Sequence, residues 1–198
     1  YDPKLSKFFF DQLKIPNPEF NFEVQSGSHA EQTASIMIRY EKLLMDSPSE
    51  LCLVVGDVTS TMACAITAQK LGVPVAHVEA GIRSGDWSMP EEINRIVVDN
   101  ISDFLFCPSQ NSKEQLIKEA ASGRIFLSGD VMYDSFLHFK KKAKIPKFKE
   151  QFALATLHRA ENTDDLVCLK SIFSALENSP IPILLPLHPR TKNKIEKH

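Results

Sequence analysis

Apolar residues in this chain fall into short unbroken runs separated by stretches with helical spacing. The runs at 51–55, 73–78, Phe104–Cys107 and Arg124–Leu127 have the length of strands. Between them lie 59–71, 90–101 and 109–119, each long enough for a helix. Continuous apolar runs alternating with helices predict parallel strands buried on both faces, assembled from βαβ units. Upstream, 4–14 predicts a short helix stopped by Pro16 and Pro18, and 20–24 alternates like a strand. The stretch 28–45 predicts an amphipathic helix with Ala30, Ala34, Met37, Ile38 and Leu44 on its apolar side.

After a helix predicted over 131–139, the segment 140–150 is basic and broken by Pro146. It reads as a linker between domains, with a solvated surface loop as the other reading. A second alternation follows: strand 152–157, helix Leu166–Glu177, strand 181–187. One strand pair is too little to bury a core alone. The expected organisation is therefore an N-terminal Rossmann-like domain over 1–139 lacking its first strand, and the start of a second over 151–198.

Composition narrows the function classes. A net charge of −2 over 198 residues argues against a broad grip on nucleic acid or an anionic membrane. No apolar run reaches membrane-spanning length. The cysteines at 52, 64, 107 and 168 have no CxxC or Cys/His ligand spacing, so they read as reduced core thiols of a cytoplasmic protein without a metal site. The seven glycines never form GxGxxG, so no nicotinamide or flavin cofactor is expected. The phosphate-binding GxxxxGK[ST] loop, HExxH and GxSxG are absent as well.

The chemistry concentrates where strands stop. Ligands in open α/β sheets sit beyond the carboxyl ends of the strands. The first run ends at Gly56-Asp57, the second at Glu79, and Glu91 opens the helix that carries Asn94 and Arg95. Asp57 has two readings: a cap for the following helix, or a carboxylate facing a ligand. Glu91 has two as well, since Ser88-x-x-Glu91 fits a capping box and Glu91 could pair with Arg95 one turn on. Glu79 follows Val78 and precedes Ala80-Gly81, a position with no capping role. His77, two residues before it, reads as a packed residue that orients its neighbours. In the second half, strand ends present His158-Arg159-Ala160-Glu161-Asn162 and His188-Pro189-Arg190, cations placed to add to amide donors around a phosphate.

Taken together, Gly56-Asp57-Val58-Thr59-Ser60-Thr61, His77-Val78-Glu79-Ala80-Gly81-Ile82-Arg83 and Pro90-Glu91-Glu92-Ile93-Asn94-Arg95 resemble the UDP-N-acetylglucosamine 2-epimerases. Ser128-Gly129-Asp130, His158-Arg159-Ala160-Glu161-Asn162 and His188-Pro189-Arg190 continue the resemblance in family order. It implies a GT-B architecture, two Rossmann-like domains facing a cleft, in cytoplasmic homodimers acting on a UDP-sugar. It implies a reaction that eliminates UDP across C1–C2 and re-adds it through a 2-acetamidoglucal, inverting C2 without a cofactor. By motif match, Asp57, Glu79 and Glu91 are the acid/base candidates and His158 stabilises the departing diphosphate. Arg95, Arg159, Asn162, His188 and Arg190 are the substrate-binding candidates.

Alternatives remain open within and beyond this resemblance. They are a hydrolysing relative that releases free N-acetylmannosamine, an epimerase of a modified UDP-amino sugar, and a GT-B glycosyltransferase or non-catalytic nucleotide-sugar binder. The family's opening strand is not found before Tyr1, nor its uridine-gripping later segment after His198, so the chain alone is expected to be inactive. The region 26–33 differs from the form associated with epimerases regulated by their own substrate.

Overall fold

The computed structural model describes residues 10, 13–24, 27–143, 151–187 and 189–195. The chain divides into two compact units, Tyr1–Lys141 and Lys142–His198. Most of the predicted 4–14 helix and of the 140–150 linker lies outside the described residues.

The first unit begins with α1 (His29–Asp46), β1 (Cys52–Val55), α2 (Thr59–Lys70) and β2 (Val75–Val78). It continues through α3 (Pro90–Ile101), β3 (Phe104–Cys107), α4 (Gln110–Lys118), β4 (Arg124–Leu127) and α5 (Val131–Lys140). All strand pairs are parallel, in the order β1-β2-β3-β4. Sequential strands thus lie side by side, and every loop leaving a strand's carboxyl end emerges on the same edge of the sheet.

Small residues let the helices sit close. Ala63, Ala65 and Ala68 of α2 are fully buried. Ala65 and Ala68 join Leu44, Cys52, Val54, Val75 and Val98 in one cluster. A second cluster, Ala80, Leu105, Cys107 and Leu116, lies under α4. Burial on both faces holds for β2, where Val75, Ala76 and His77 are enclosed, but not for β1. There Cys52 and Val54 are buried while Leu53 is 59% and Val55 48% exposed. The physical reason is coverage: among the described residues, helices pack against one face of β1.

Two upstream expectations need correction. No strand forms at 20–24. Glu23 takes a φ of 49°, which breaks an extended backbone, and the Phe22 carbonyl accepts from the Arg39 guanidinium instead of a strand neighbour. Helix α1 exists as predicted and buries Leu44 as expected, but Ile36 is the other buried residue and Ile38 is 67% exposed. Its start is fixed by a capping box, with Ser28 Oγ accepting from Glu31 N and Glu31 Oε2 accepting from Ser28 N at 2.8 Å.

The second unit contains β5 (Ala153–Leu154), α6 (Ala160–Thr163), α7 (Leu166–Glu177), β6 (Ile183–Leu184) and α8 (Pro189–Ile195). Its two strands pair in parallel, Ala153 with Ile183 and Leu154 with Leu184, over a shorter length than the apolar runs predict. Helix α7 starts where Asp165 accepts from the amides of Val167 and Cys168. Among the described residues no helix is long and apolar enough to cross a membrane.

Gly81 shows how closely the first unit is packed. It has a φ of 80°, and a Cβ there would lie 2.2 Å from the Ser112 carbonyl oxygen. Gly72, with a φ of 74°, faces open space. Gly81→Ala is therefore expected to destabilise the fold by about 3 kcal/mol or more, and Gly72→Ala by about 1 kcal/mol. Denaturant midpoints of the two variants measure the difference; equal losses would mean that only backbone strain matters.

Candidate active site

The site begins where β1 and β2 end side by side. Val55 pairs with Val78, and Gly56 N donates to the Val78 carbonyl at 3.1 Å, which sets Gly56 beside Glu79. Glu79 is a non-glycine residue with a φ of 71°. The left-handed region disfavours a side chain with a Cβ by roughly 1–2 kcal/mol, and such strain gathers at functional positions. A Cβ placed on Gly56 would be 3.5 Å from Glu79 Oε2, so the carboxylate lies over the bare glycine. Glu79 is half-buried, and no described residue donates a hydrogen bond to its carboxylate.

Asp57 does not cap α2. The capping position is Val58, which forms no side-chain cap. Instead Arg95 Nη2 pairs with Asp57 Oδ2, and Asn94 Nδ2 donates to the Asp57 carbonyl at 2.8 Å. The helix that carries Glu91 is thereby fastened to the end of β1.

The two ordinary readings of Glu91 also fail. Helix α3 starts at Met89 with Pro90 in its first turn and no side-chain cap. The Ser88 hydroxyl donates to Asp86 Oδ1 at 2.6 Å, so the capping box does not form. Arg95 pairs with Asp57 and Glu92, not with Glu91. Glu91 is half-buried, one turn before Arg95, and no described residue donates to its carboxylate. The structure thus brings the segments bearing Asp57, Glu79 and Glu91 to one rim of the first unit.

Two acidic residues that the sequence reading overlooked organise this rim. Glu92, 2% exposed, accepts from Ser84 N at 2.9 Å, Ser84 Oγ at 3.0 Å, Gly85 N at 2.9 Å and Arg95 Nη1 at 3.2 Å. It straps the loop between β2 and α3 onto the helix. Asp99 has no exposed surface and accepts from Gly81 N at 3.0 Å and Arg83 Nη1 at 2.7 Å. Its other oxygen meets His77 Nδ1 at 2.7 Å, and His77 Nε2 meets the Gly56 carbonyl at 2.9 Å. Arg83 continues to Glu119 through two hydrogen bonds of 3.0 and 2.6 Å. A sequence signal for Asp99 existed: an Asp one turn beyond Arg95, set in the otherwise apolar stretch Ile96-Val97-Val98.

In the second unit, His158 and Arg159 are exposed and Asn162 is half-buried. The single turn α6 is held by Thr163 Oγ1 donating to the Arg159 carbonyl at 2.9 Å. Thr191 of α8 donates to the Leu157 carbonyl, which joins the start of α8 to the residue before His158. His188 itself lies outside the described residues, and of Arg190 only its place in α8 is described.

A family model for UDP-N-acetylglucosamine 2-epimerase matches residues 1–198. The chain belongs to the UDP-N-acetylglucosamine 2-epimerase family. Along its full length it is 44% identical to the UDP-2,3-diacetamido-2,3-dideoxy-D-glucuronate 2-epimerase of Pseudomonas aeruginosa, covering 58% of that protein. It is 38% identical to the UDP-N-acetylglucosamine 2-epimerase of Methanocaldococcus jannaschii, again over its full length and 58% of the relative. A crystal structure of the Methanocaldococcus jannaschii UDP-GlcNAc 2-epimerase in complex with UDP-GlcNAc and UDP superposes with a TM-score of 0.83, over 96% of this chain and 56% of that one. The chain thus spans less than two thirds of these relatives' length. Its architecture is GT-B-like α/β with parallel strands, as in these epimerases.

The Glu92 carboxyl gives the epimerase-family fold a pH signature. Burial pushes it up, but the Ser84 and Gly85 amides, the Ser84 hydroxyl and the Arg95 guanidinium outweigh burial and bring it from 4.5 to about 2. A carboxyl held lower in the folded state stabilises above its unfolded value of 4.5, and that stability is lost as pH falls toward 2. Glu92→Gln is therefore expected to cost up to about 3 kcal/mol at pH 7 and to flatten the stability profile between those limits. Urea midpoints across that range measure it, and an unchanged slope would show that Glu92 does not carry the pH dependence.

Proposed function

We propose that the protein bearing this chain inverts C2 of UDP-N-acetylglucosamine to give UDP-N-acetylmannosamine. One carboxylate removes the C2 proton as the C1–oxygen bond to UDP breaks, leaving a 2-acetamidoglucal. UDP then re-adds at C1 while an acid returns a proton to the opposite face of C2. The observation that carries this reading is Glu79, a carboxylate held in a strained backbone at a strand mouth with no described donor. A group placed there for stability alone would be capped or paired.

Asp57, Glu79 and Glu91 are the proposed acid/base set, each such group contributing roughly 10²–10⁴ in rate. His158, Arg159, Asn162, His188 and Arg190 are the proposed grip on diphosphate and uridine, stabilising charge as UDP departs. Arg95 shares the first rim and is proposed to serve substrate by holding Asp57. The assignment of 1–139 and 151–198 to two Rossmann-like domains joined by 140–150 belongs to the same proposal, as do the homodimer and the cytoplasm. Four unpaired cysteines support a reducing compartment. A second reading has its own support: the Pseudomonas aeruginosa relative is named for a diacetamido glucuronate, so a modified UDP-amino sugar is the competing substrate.

The full-length protein incubated with UDP-N-acetylglucosamine in heavy water decides among the readings by NMR. Deuterium at C2 of recovered sugar nucleotide is expected. Free N-acetylmannosamine with UDP would point to hydrolysis, and exchange only with a diacetamido glucuronate to the modified substrate. Glu79→Gln and Glu91→Gln are each expected to slow exchange by about 10²-fold or more. Unchanged exchange in both would remove them from the chemistry.

A further inference from the structure

We propose that His77 and Asp99 form a buried positioning pair that fixes the backbone on both sides of Glu79; this rests on the reading of Glu79 as an acid/base group. Neither residue has any exposed surface. The pair reaches the backbone at two points that bracket the strained residue. On one side, His77 Nε2 faces the Gly56 carbonyl at 2.9 Å. A carbonyl only accepts, so this nitrogen carries the hydrogen. On the other side, Gly81 N donates to Asp99 Oδ2 at 3.0 Å. Asp99 Oδ1 and His77 Nδ1, 2.7 Å apart, share a hydrogen and close the circuit.

Glu79 therefore sits inside a loop of hydrogen bonds that runs from Gly56 through His77 and Asp99 to Gly81. Gly56 is the residue over which its carboxylate lies. The bond to the Gly56 carbonyl thus fixes the floor beneath the carboxylate, and the bond to Gly81 fixes the turn that follows it. Arg83 Nη1, 2.7 Å from Asp99 Oδ2, supplies the countercharge and is itself clasped by Glu119. A buried histidine needs neither connection to fill space. Two contacts aimed at the backbone flanking one left-handed glutamate are the geometry of a clamp.

The test uses Asp99→Asn and His77→Gln in the full-length protein, two variants of similar size to the residues replaced. For turnover of UDP-N-acetylglucosamine, kcat is expected to fall about 100-fold, the scale of a 1 Å misplacement, while KM stays within about two-fold. A purely structural role would lower the amount of folded protein and leave kcat per folded molecule unchanged. A second readout involves no substrate. With the native pair, Glu79→Gly is expected to be about ten-fold more stable than Glu79→Ala in unfolding equilibrium constant, because only alanine opposes the left-handed backbone. With Asp99→Asn that gap is expected to close to within about two-fold; if this variant does not fold, His77→Gln takes its place in the comparison. A kcat within two-fold of wild type, or a gap that persists, overturns the proposal. If the wild-type protein itself does not turn over UDP-N-acetylglucosamine, that substrate reading fails, and the stability comparison still decides whether the clamp exists.

Discussion

A negative charge with no exposed surface sets the constraint on which the first unit depends. Taking a carboxylate out of water costs several kcal/mol, and only well-placed donors offset it. Asp99 accepts from the Gly81 amide and the Arg83 guanidinium, and its other oxygen lies 2.7 Å from the His77 ring. They arrive from β2 and from the turn after it, and Arg83 is fastened in turn to Glu119 at the end of α4. Removing Arg83 would leave the charge buried without its countercharge, which typically costs about 3–5 kcal/mol. The sheet edge, α3 and the end of α4 are therefore not free to shift independently, and the strand-end loops between them inherit that rigidity.

Rigidity at this edge explains how a strained residue can persist. A left-handed glutamate relaxes unless its neighbours over-determine it. Here the ladder bond from Gly56 N to Val78 O and the bond from Ala80 N to the Phe106 carbonyl hold the adjacent peptides. The acidic residues then divide their work by what donates to them. Glu92, Asp99 and Glu119 are occupied by protein donors, and Asp57 is paired with Arg95. Glu79 and Glu91 have no donor among the described residues. Those two are the carboxylates proposed above for acid/base work.

Much of this was legible in the sequence, and the reasons are local. The strands Phe104–Cys107 and Arg124–Leu127 and the helix Leu166–Glu177 match their apolar runs because a run bounded by turn residues fixes length as well as type. Period alone misled at 20–24, where alternation is present but the positive φ of Glu23 breaks the extended chain. It also misled within α1, because Ile38 is apolar yet points away from the helices that cover the sheet. At the site, the sequence placed Asp57, Glu79 and Glu91 on one edge but could not separate capping from chemistry. That distinction depends on donors distant in sequence: Arg95 reaches Asp57, and the Ser84 and Gly85 amides select Glu92 over its neighbour Glu91. Asp99 went unnoticed because burial, which makes it informative, is a tertiary property.

On the proposed reading, the division of labour is compatible with more than one sugar substrate. Epimerisation needs a proton removed and returned at C2, whatever the sugar carries elsewhere. The Pseudomonas aeruginosa relative is named for a sugar with a second acetamido group and a carboxylate, the Methanocaldococcus jannaschii one for N-acetylglucosamine, and this chain resembles both. Similarity that includes the C2 chemistry cannot rank these sugars. A ring carboxylate would require a cation facing it, and the described cations of the first rim are already committed, Arg83 to Asp99 and Glu119 and Arg95 to Asp57 and Glu92. Recognition of such a group would therefore have to come from a cation outside that rim, which separates the question of substrate from the question of reaction.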